Sequence, residues 1–165
     1  MELQTINRRS PRIQGYDYSS AGAYFVTICA QDRVCIFGEV DRDIVHLTPV
    51  GQIAADTWLS LGEDYPVVCL DEWVLMPNHL HAIILLEVGC PKPLGQIIGA
   101  YKSISRKRIK QNLGIEASIW QRNFHEHIIR SEKSLLGVRQ YIRDNPAKWS
   151  VDKENLDALR QHDRA

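Results

Sequence analysis

The sequence predicts an α+β domain, an antiparallel sheet with its helices mainly on one face. Three observations carry this expectation. Strand-like and helix-like runs mix without the βαβα rhythm of a parallel sheet. Two long apolar runs, residues 67–76 and 79–86, are separated only by Pro77-Asn78, so the second must return antiparallel to the first. Helix starts are marked at Thr48-Pro49 and at Ser131-Glu132. The 165 residues, 44% hydrophobic and 24% charged, suffice for one compact domain with a real core and argue against disorder.

Residues 1–20 are polar and irregular. Residues 23–29, rich in β-branched and aromatic side chains, read as a strand. Asp32-Arg33 reads as a turn into a short strand over residues 34–38. Thr48 caps a helix whose Ile53, Ala54, Trp58 and Leu61 recur at helical spacing. The paired strands 67–76 and 79–86 follow. Residues 89–93 form a loop, 94–111 a second helix and 112–117 a linker. Residues 126–130 read as a strand end within 120–130. Ser131 caps a third helix, with Glu132 favourable in its first turn. Asn145-Pro146 ends it, because the residue before proline is pushed out of the helical region. Residues 1–150 therefore form one domain, and 151–165 a polar, weakly helical tail.

Lysine plus arginine and aspartate plus glutamate both number 20, so net charge is zero and nucleic-acid binding needs a local basic patch. Cys29, Cys35, Cys69 and Cys90 form no C-x-x-C pair. Cys29 and Cys69, in apolar runs, are expected to be buried free thiols. The N-terminus lacks the apolar core of a signal peptide, and no run is long enough to span a bilayer. A soluble cytoplasmic protein that binds no membrane is expected.

His79-Leu80-His81 is the main chemical signal. Alternate strand residues share a face, so the two imidazoles stand side by side, spaced for one divalent metal. The alternative is two strand histidines satisfied by hydrogen bonds. Ile83 and Leu85 continue the histidine face, and the other face is apolar too, which marks a central strand. Imidazoles there need partners, and a metal is one.

On the third helix, Leu135, Val138 and Ile142 make the apolar stripe, and Tyr141 and Asn145 share a side at its border. They are a boundary tyrosine and a helix cap, or else a nucleophile and a hard-cation ligand. On the second helix, Ile97, Tyr101 and Ile104 are expected to face inward. Lys102, Arg106 and Lys110 recur every four residues, with Lys107 beside them and no acidic residue from 91 to 113. That one-sidedness fits either a solvated face or a phosphate-tracking surface. Trp120-Gln-Arg-Asn-Phe-His-Glu-His127 holds a second alternate pair, His125 and His127, that reads as a metal site, as support for the first site through Glu126 and His127, or as an aromatic edge.

Three segments together, Trp73-Val-Leu-Met-Pro-Asn-His-Leu-His81, Trp120-Gln-Arg-Asn-Phe-His-Glu-His-Ile-Ile-Arg130 and Tyr141-Ile-Arg-Asp-Asn-Pro146, closely resemble the REP-associated tyrosine transposases of the single-tyrosine HUH superfamily. The resemblance covers roughly residues 15–150. It implies a ferredoxin-like antiparallel sheet, with His79 and His81 as metal ligands and Tyr141 as nucleophile. Asn145 falls where relatives carry a polar third ligand. His125 departs from the aromatic that many relatives have before Glu-His.

The resemblance further implies metal-dependent nicking and rejoining of single-stranded or hairpin DNA of REP type, through a 5′-phosphotyrosine, with Mg²⁺ or Mn²⁺. Lys102, Arg106, Lys107 and Lys110 would track the backbone and Trp120 would stack on bases. The protein would work in the cytoplasm on the nucleoid, as a monomer or homodimer. Two alternatives are a metal-dependent phosphodiester hydrolase, which needs no tyrosine, and a non-catalytic binder of REP hairpins.

Overall fold

Residues 21–155 are described by the structure, a computed structural model. In chain order they form β1 (Gly22–Cys29), β2 (Gly38–Asp41), β3 (Ile44–Leu47), α1 (Pro49–Asp64), β4 (Val68–Met76), β5 (His79–Leu86), α2 (Leu94–Leu113), β6 (His125–Ile129) and α3 (Glu132–Asp144). A 3₁₀ stretch, Pro146–Val151, follows α3. The main sheet has four strands in the order β4-β5-β1-β6, every neighbouring pair antiparallel. Apart from the separate β2–β3 hairpin, β1, α1, β4, β5, α2 and β6 follow a β-α-β-β-α-β succession; α3 is an addition to it.

β5 is apolar on both faces because both faces are covered. Tyr24, Val26 and Ile28 of β1 and Leu80, Ala82 and Ile84 of β5 join Ala54, Trp58 and Leu61 of α1 and Ile97, Ile98 and Tyr101 of α2 in the main core. The alternate residues face the other way. Ile83, with Phe25 and Val74 beside it, packs on Ile129 and on Ile142, Val138 and Leu135 of α3. The expectation of helices mainly on one face thus describes α1 and α2, while α3 lies across the sheet on the other face. Its amphipathic pattern does not say which sheet face it will cover.

The Thr48 cap forms as expected. Its Oγ1 accepts from Gly51 N at 3.1 Å and donates to Ile36 O at 2.7 Å, and its own N–H donates to Phe37 O at 2.9 Å. It satisfies orphan donors of α1 and ties the helix to the preceding loop. Thr48→Ala should therefore lower stability by about 1–2 kcal/mol, read by urea unfolding; an unchanged midpoint would mean that the cap adds nothing.

Four local expectations need correcting. The short strand over 34–38 is instead the β2–β3 hairpin, with Gly38 its first residue. Its turn residues Arg42 and Asp43 have left-handed φ of 47° and 63°, so a hairpin forms without the usual Asn-Gly signal. Cys69 is exposed rather than buried, while Cys29 is buried as expected. The inward stripe of α2 runs through Tyr101, Ser105 and Ile109, and Ile104 is only half-buried. Residues 152–155, assigned to the polar tail, fold back on the domain: Glu154 pairs with Arg33 at 2.6 Å and its carbonyl accepts from Asn78 Nδ2 at 2.7 Å. The irregular start over residues 1–20 and the remaining tail, 156–165, lie outside the described residues. No helix among the described residues is long and apolar enough to cross a membrane.

Candidate active site between the sheet and the third helix

His79 and His81 project from β5 toward the α3 face, both buried, their ring centroids 4.3 Å apart. Neighbouring side chains set their orientation. Asn78 Nδ2 donates to Arg33 O at 3.1 Å and to Glu154 O, which leaves Asn78 Oδ1 as the acceptor facing His79 Nδ1 at 2.8 Å. His79 must then carry its proton on Nδ1, so Nε2 presents a lone pair. That Nε2 is buried and has no hydrogen-bond partner. His81 Nδ1 meets Thr27 Oγ1 at 2.8 Å, and its Nε2 lies 3.5 Å from the Tyr141 hydroxyl, at the outer limit of a hydrogen bond. Each ring is thus held by one nitrogen while the other points into a common space.

Burial keeps both imidazoles neutral. Desolvation, reinforced by the Arg33 charge and partly opposed by Asn145, lowers the His79 pKa to about 3. Desolvation and the neighbouring His79 push His81 well below its ordinary value.

α3 brings Tyr141 to this space. Its ring meets Phe25 edge-on at 6.0 Å and His81 at 5.4 Å, and the residue is 39% exposed, so it borders solvent. Partial burial and the Asp152 carboxylate raise its pKa, with Asn145 opposing. One turn on, Asn145 is buried. Its Oδ1 makes no aligned hydrogen bond, yet its side chain raises the pKa of His79 and lowers that of Tyr141, so it lies near both groups.

Asp152 is the residue that sequence reasoning missed. The Pro146–Val151 stretch carries it back to the histidines, and one ligand atom each from His79, His81 and Asp152 lie within 4.8 Å of one another. Pro146 was legible as a helix stop, but nothing local in the tail signals this return. Buried orphan atoms on His79 and Asn145, two imidazole nitrogens and a carboxylate make a mixed N/O donor set that fits a divalent cation.

The other expected site residues fall elsewhere. Trp120 is buried, stacked against Phe37 at 4.5 Å and Tyr101 at 5.3 Å, and its Nε1 donates to Ser105 at 2.9 Å. It has no ring face to offer a base. Of the readings its segment allows, the packed aromatic one describes Trp120. Lys102 is not on an open basic face: its Nζ donates to the carbonyls of Gln121, Arg122 and Asn123 at 2.8, 3.3 and 3.0 Å, and burial lowers its pKa to about 8. Lys110 pairs with Glu116 at 2.9 Å. Arg106 and Lys107 are exposed, on a helix that covers the sheet face opposite His79 and His81. Glu126 pairs with Val26 in register and so stands on that opposite face, away from the histidines. His127 pairs with Phe25 and stands, exposed, on the histidine face. His125 pairs with Thr27 on that same face.

The family model for IS200-like transposases matches residues 61–145, from the end of α1 through β4, β5 and α2 to Tyr141 and Asn145. The chain belongs to the IS200-like transposase family. A Haemophilus influenzae protein described as uncharacterized is 34% identical to this transposase, over 92% of this chain and 94% of its own. A REP-associated tyrosine transposase of Escherichia coli K12 is 27% identical, over 85% and 75% of the two chains. A solved REP-associated tyrosine transposase, bound to a REP hairpin, superposes with a TM-score of 0.57 at 25% identity, over 78% of this chain and 68% of its own.

Proposed function

We propose that this transposase nicks and rejoins single-stranded DNA at REP-type hairpins through a covalent 5′-phosphotyrosine on Tyr141. The observation that carries the reading is the convergence of two fixed imidazole Nε2 atoms, one an orphan, on a space that the Tyr141 hydroxyl borders at 3.5 Å from His81. The REP hairpin enters from the solved relative named with it.

His79 and His81, with Asp152 and Asn145 as the oxygen donors, would hold a divalent cation, Mg²⁺ or Mn²⁺. Such a cation supplies Lewis-acid polarisation and orientation of a phosphate oxygen. The chain's own residues do the rest. The Tyr141 oxygen attacks phosphorus in line; the bond from phosphorus to the 3′ oxygen breaks, and that oxygen leaves as a hydroxyl. The phenol must lose its proton, and its raised pKa means that it does not do so unaided at neutral pH. His127, exposed on the same face beside Phe25, is our candidate acceptor. Attack by a 3′-hydroxyl on the phosphotyrosine reverses the step and rejoins strands without an external energy source.

Arg106, Lys107 and Lys110 lie across the sheet from Tyr141, so they would hold a distal part of the DNA rather than the scissile strand. The protein would act in the cytoplasm, on the nucleoid.

The test is a REP-hairpin oligonucleotide labelled on the 3′ side of the expected nick, incubated with Mn²⁺ or Mg²⁺ and run on a denaturing gel. A labelled band at the mass of protein plus DNA is expected. Cleavage with water alone and no adduct would make the protein a hydrolase, and tight binding without cleavage would make it a binder only.

A further inference from the structure

α3 is thinly attached for a helix that carries a reacting group. Among its described residues only Ile142 is buried, and Leu135 and Val138 complete a narrow stripe against the sheet. A stripe that narrow resists lifting but leaves rotation about the helix axis weakly opposed, since rolling exchanges one half-buried side chain for another.

Two ion pairs supply what the stripe lacks. β4 has a register shift between Leu70 and Trp73. In a regular strand Asp71 and Glu72 would point to opposite faces, whereas an irregularity lets consecutive residues reach the same partner. Both reach α3. Arg139 donates through Nε to Asp71 Oδ1 at 2.9 Å and through Nη2 to Oδ2 at 2.5 Å, a bidentate pair. Arg143 donates through Nε and Nη2 to Glu72 Oε1 at 3.0 and 2.6 Å. The Asp71 carboxylate is only 12% exposed, and Arg139 beside it holds its pKa below the ordinary value, so the pair stays ionised at neutral pH. Arg139 and Arg143 are four apart and share one flank of α3; Tyr141, two residues from each, lies on the opposite flank at 100° per residue.

We propose that Asp71–Arg139 and Glu72–Arg143 are positioning residues for Tyr141, fixing the roll of α3 so that pinning one flank to β4 turns the phenol on the other toward His81. The proposal rests on the reading of Tyr141 as nucleophile. Their hydrogen bonds join Asp71 and Glu72 to Arg139 and Arg143 and not to His79, His81, Asn145 or Asp152, so they would act through the helix.

The test uses full-length protein in two charge states: Asp71→Asn with Glu72→Gln, which removes both carboxylates, and Asp71→Arg with Arg139→Asp, which exchanges one pair. Two readouts are taken: the single-turnover rate of adduct formation at saturating DNA and Mn²⁺, and the ¹⁹F resonance of Tyr141 in 3-fluorotyrosine-labelled protein, assigned by its absence in Tyr141→Phe. Neutralisation should slow adduct formation by about tenfold or more and shift the resonance, with DNA affinity unchanged; exchange should restore both. Should the doubly neutralised protein fail to fold, Glu72→Gln alone, at the more exposed pair, gives the same readouts. A folded neutralised variant with wild-type rate and resonance overturns the proposal, as does a rate loss that merely follows lost DNA affinity. Wild type that forms no adduct defeats the role of Tyr141 instead, and the ¹⁹F arm still judges the latch.

Discussion

Tyr141→Phe is expected to abolish the covalent DNA adduct, lowering its rate by at least roughly 10³-fold, while the protein still folds and still binds hairpin DNA and metal. The change is nearly isosteric. The ring keeps its edge-on packing on Phe25 at 6.0 Å, and removing the hydroxyl takes away its 3.5 Å approach to His81. Stability should move by no more than about 0.5 kcal/mol, because the residue is half-exposed and packs through its ring. The measurement is a denaturing gel of labelled hairpin run beside a thermal melt. An adduct that survives in Tyr141→Phe would place the nucleophile elsewhere.

The second large effect is on metal binding and on its pH range. His79→Ala should abolish binding of Mn²⁺ as read by calorimetry, since it removes a lone pair that Asn78 holds in place. The depressed pKa values carry a further consequence. His79 titrates at about 3 in the folded protein and near 6.5 once unfolded, and His81 is lowered in the same sense. Below pH 6.5 the unfolded chain therefore takes up protons that the folded one does not. Folding stability falls as pH drops, by up to about 1.4 kcal/mol per pH unit for each histidine, until the folded-state pKa is reached. Thermal melts of metal-free protein from pH 7.5 to 4 should show this loss, and His79→Ala should show a shallower one. The same neutrality lets metal bind without competing protons down to acidic pH. A flat stability profile between pH 7 and 5 would mean that the two rings are not held neutral by burial.

Much of this site was legible in the residues. The H-x-H spacing on a strand apolar on both faces places two imidazoles together in the interior, and β5 does that. Ser131 starts α3 as its chemistry says it must, its side chain accepting from Ser134 N; at the other end Asn145 keeps helical angles (φ −60°, ψ −43°) instead of leaving the helical region before Pro146, and the chain runs straight on into a 3₁₀ stretch. Readings that depended on which neighbour a side chain meets fared differently. Lys102 has the spacing of a surface stripe, yet three carbonyls of one loop turn it into an anchor. Trp120 has the look of a stacking platform, yet Phe37 and Tyr101 enclose it. Periodicity gives the face of an element, not the partner lying across from it.

The sequence by itself determined the local elements of this transposase: strand alternation, helix caps, the β4–β5 turn and the pairing of His79 with His81 on one face. These follow from covalent geometry and side-chain chemistry acting over a few residues. Only the tertiary structure decided that α3 lies on the histidine face, that Asp71 and Glu72 pair with it there, and that the chain after Pro146 returns Asp152 to the pair. Each of those ion pairs, and the approach of Asp152, joins residues about 70 positions apart. Such meetings are chosen by how whole surfaces pack, and packing energy is non-directional and carries no short-range signature along the chain.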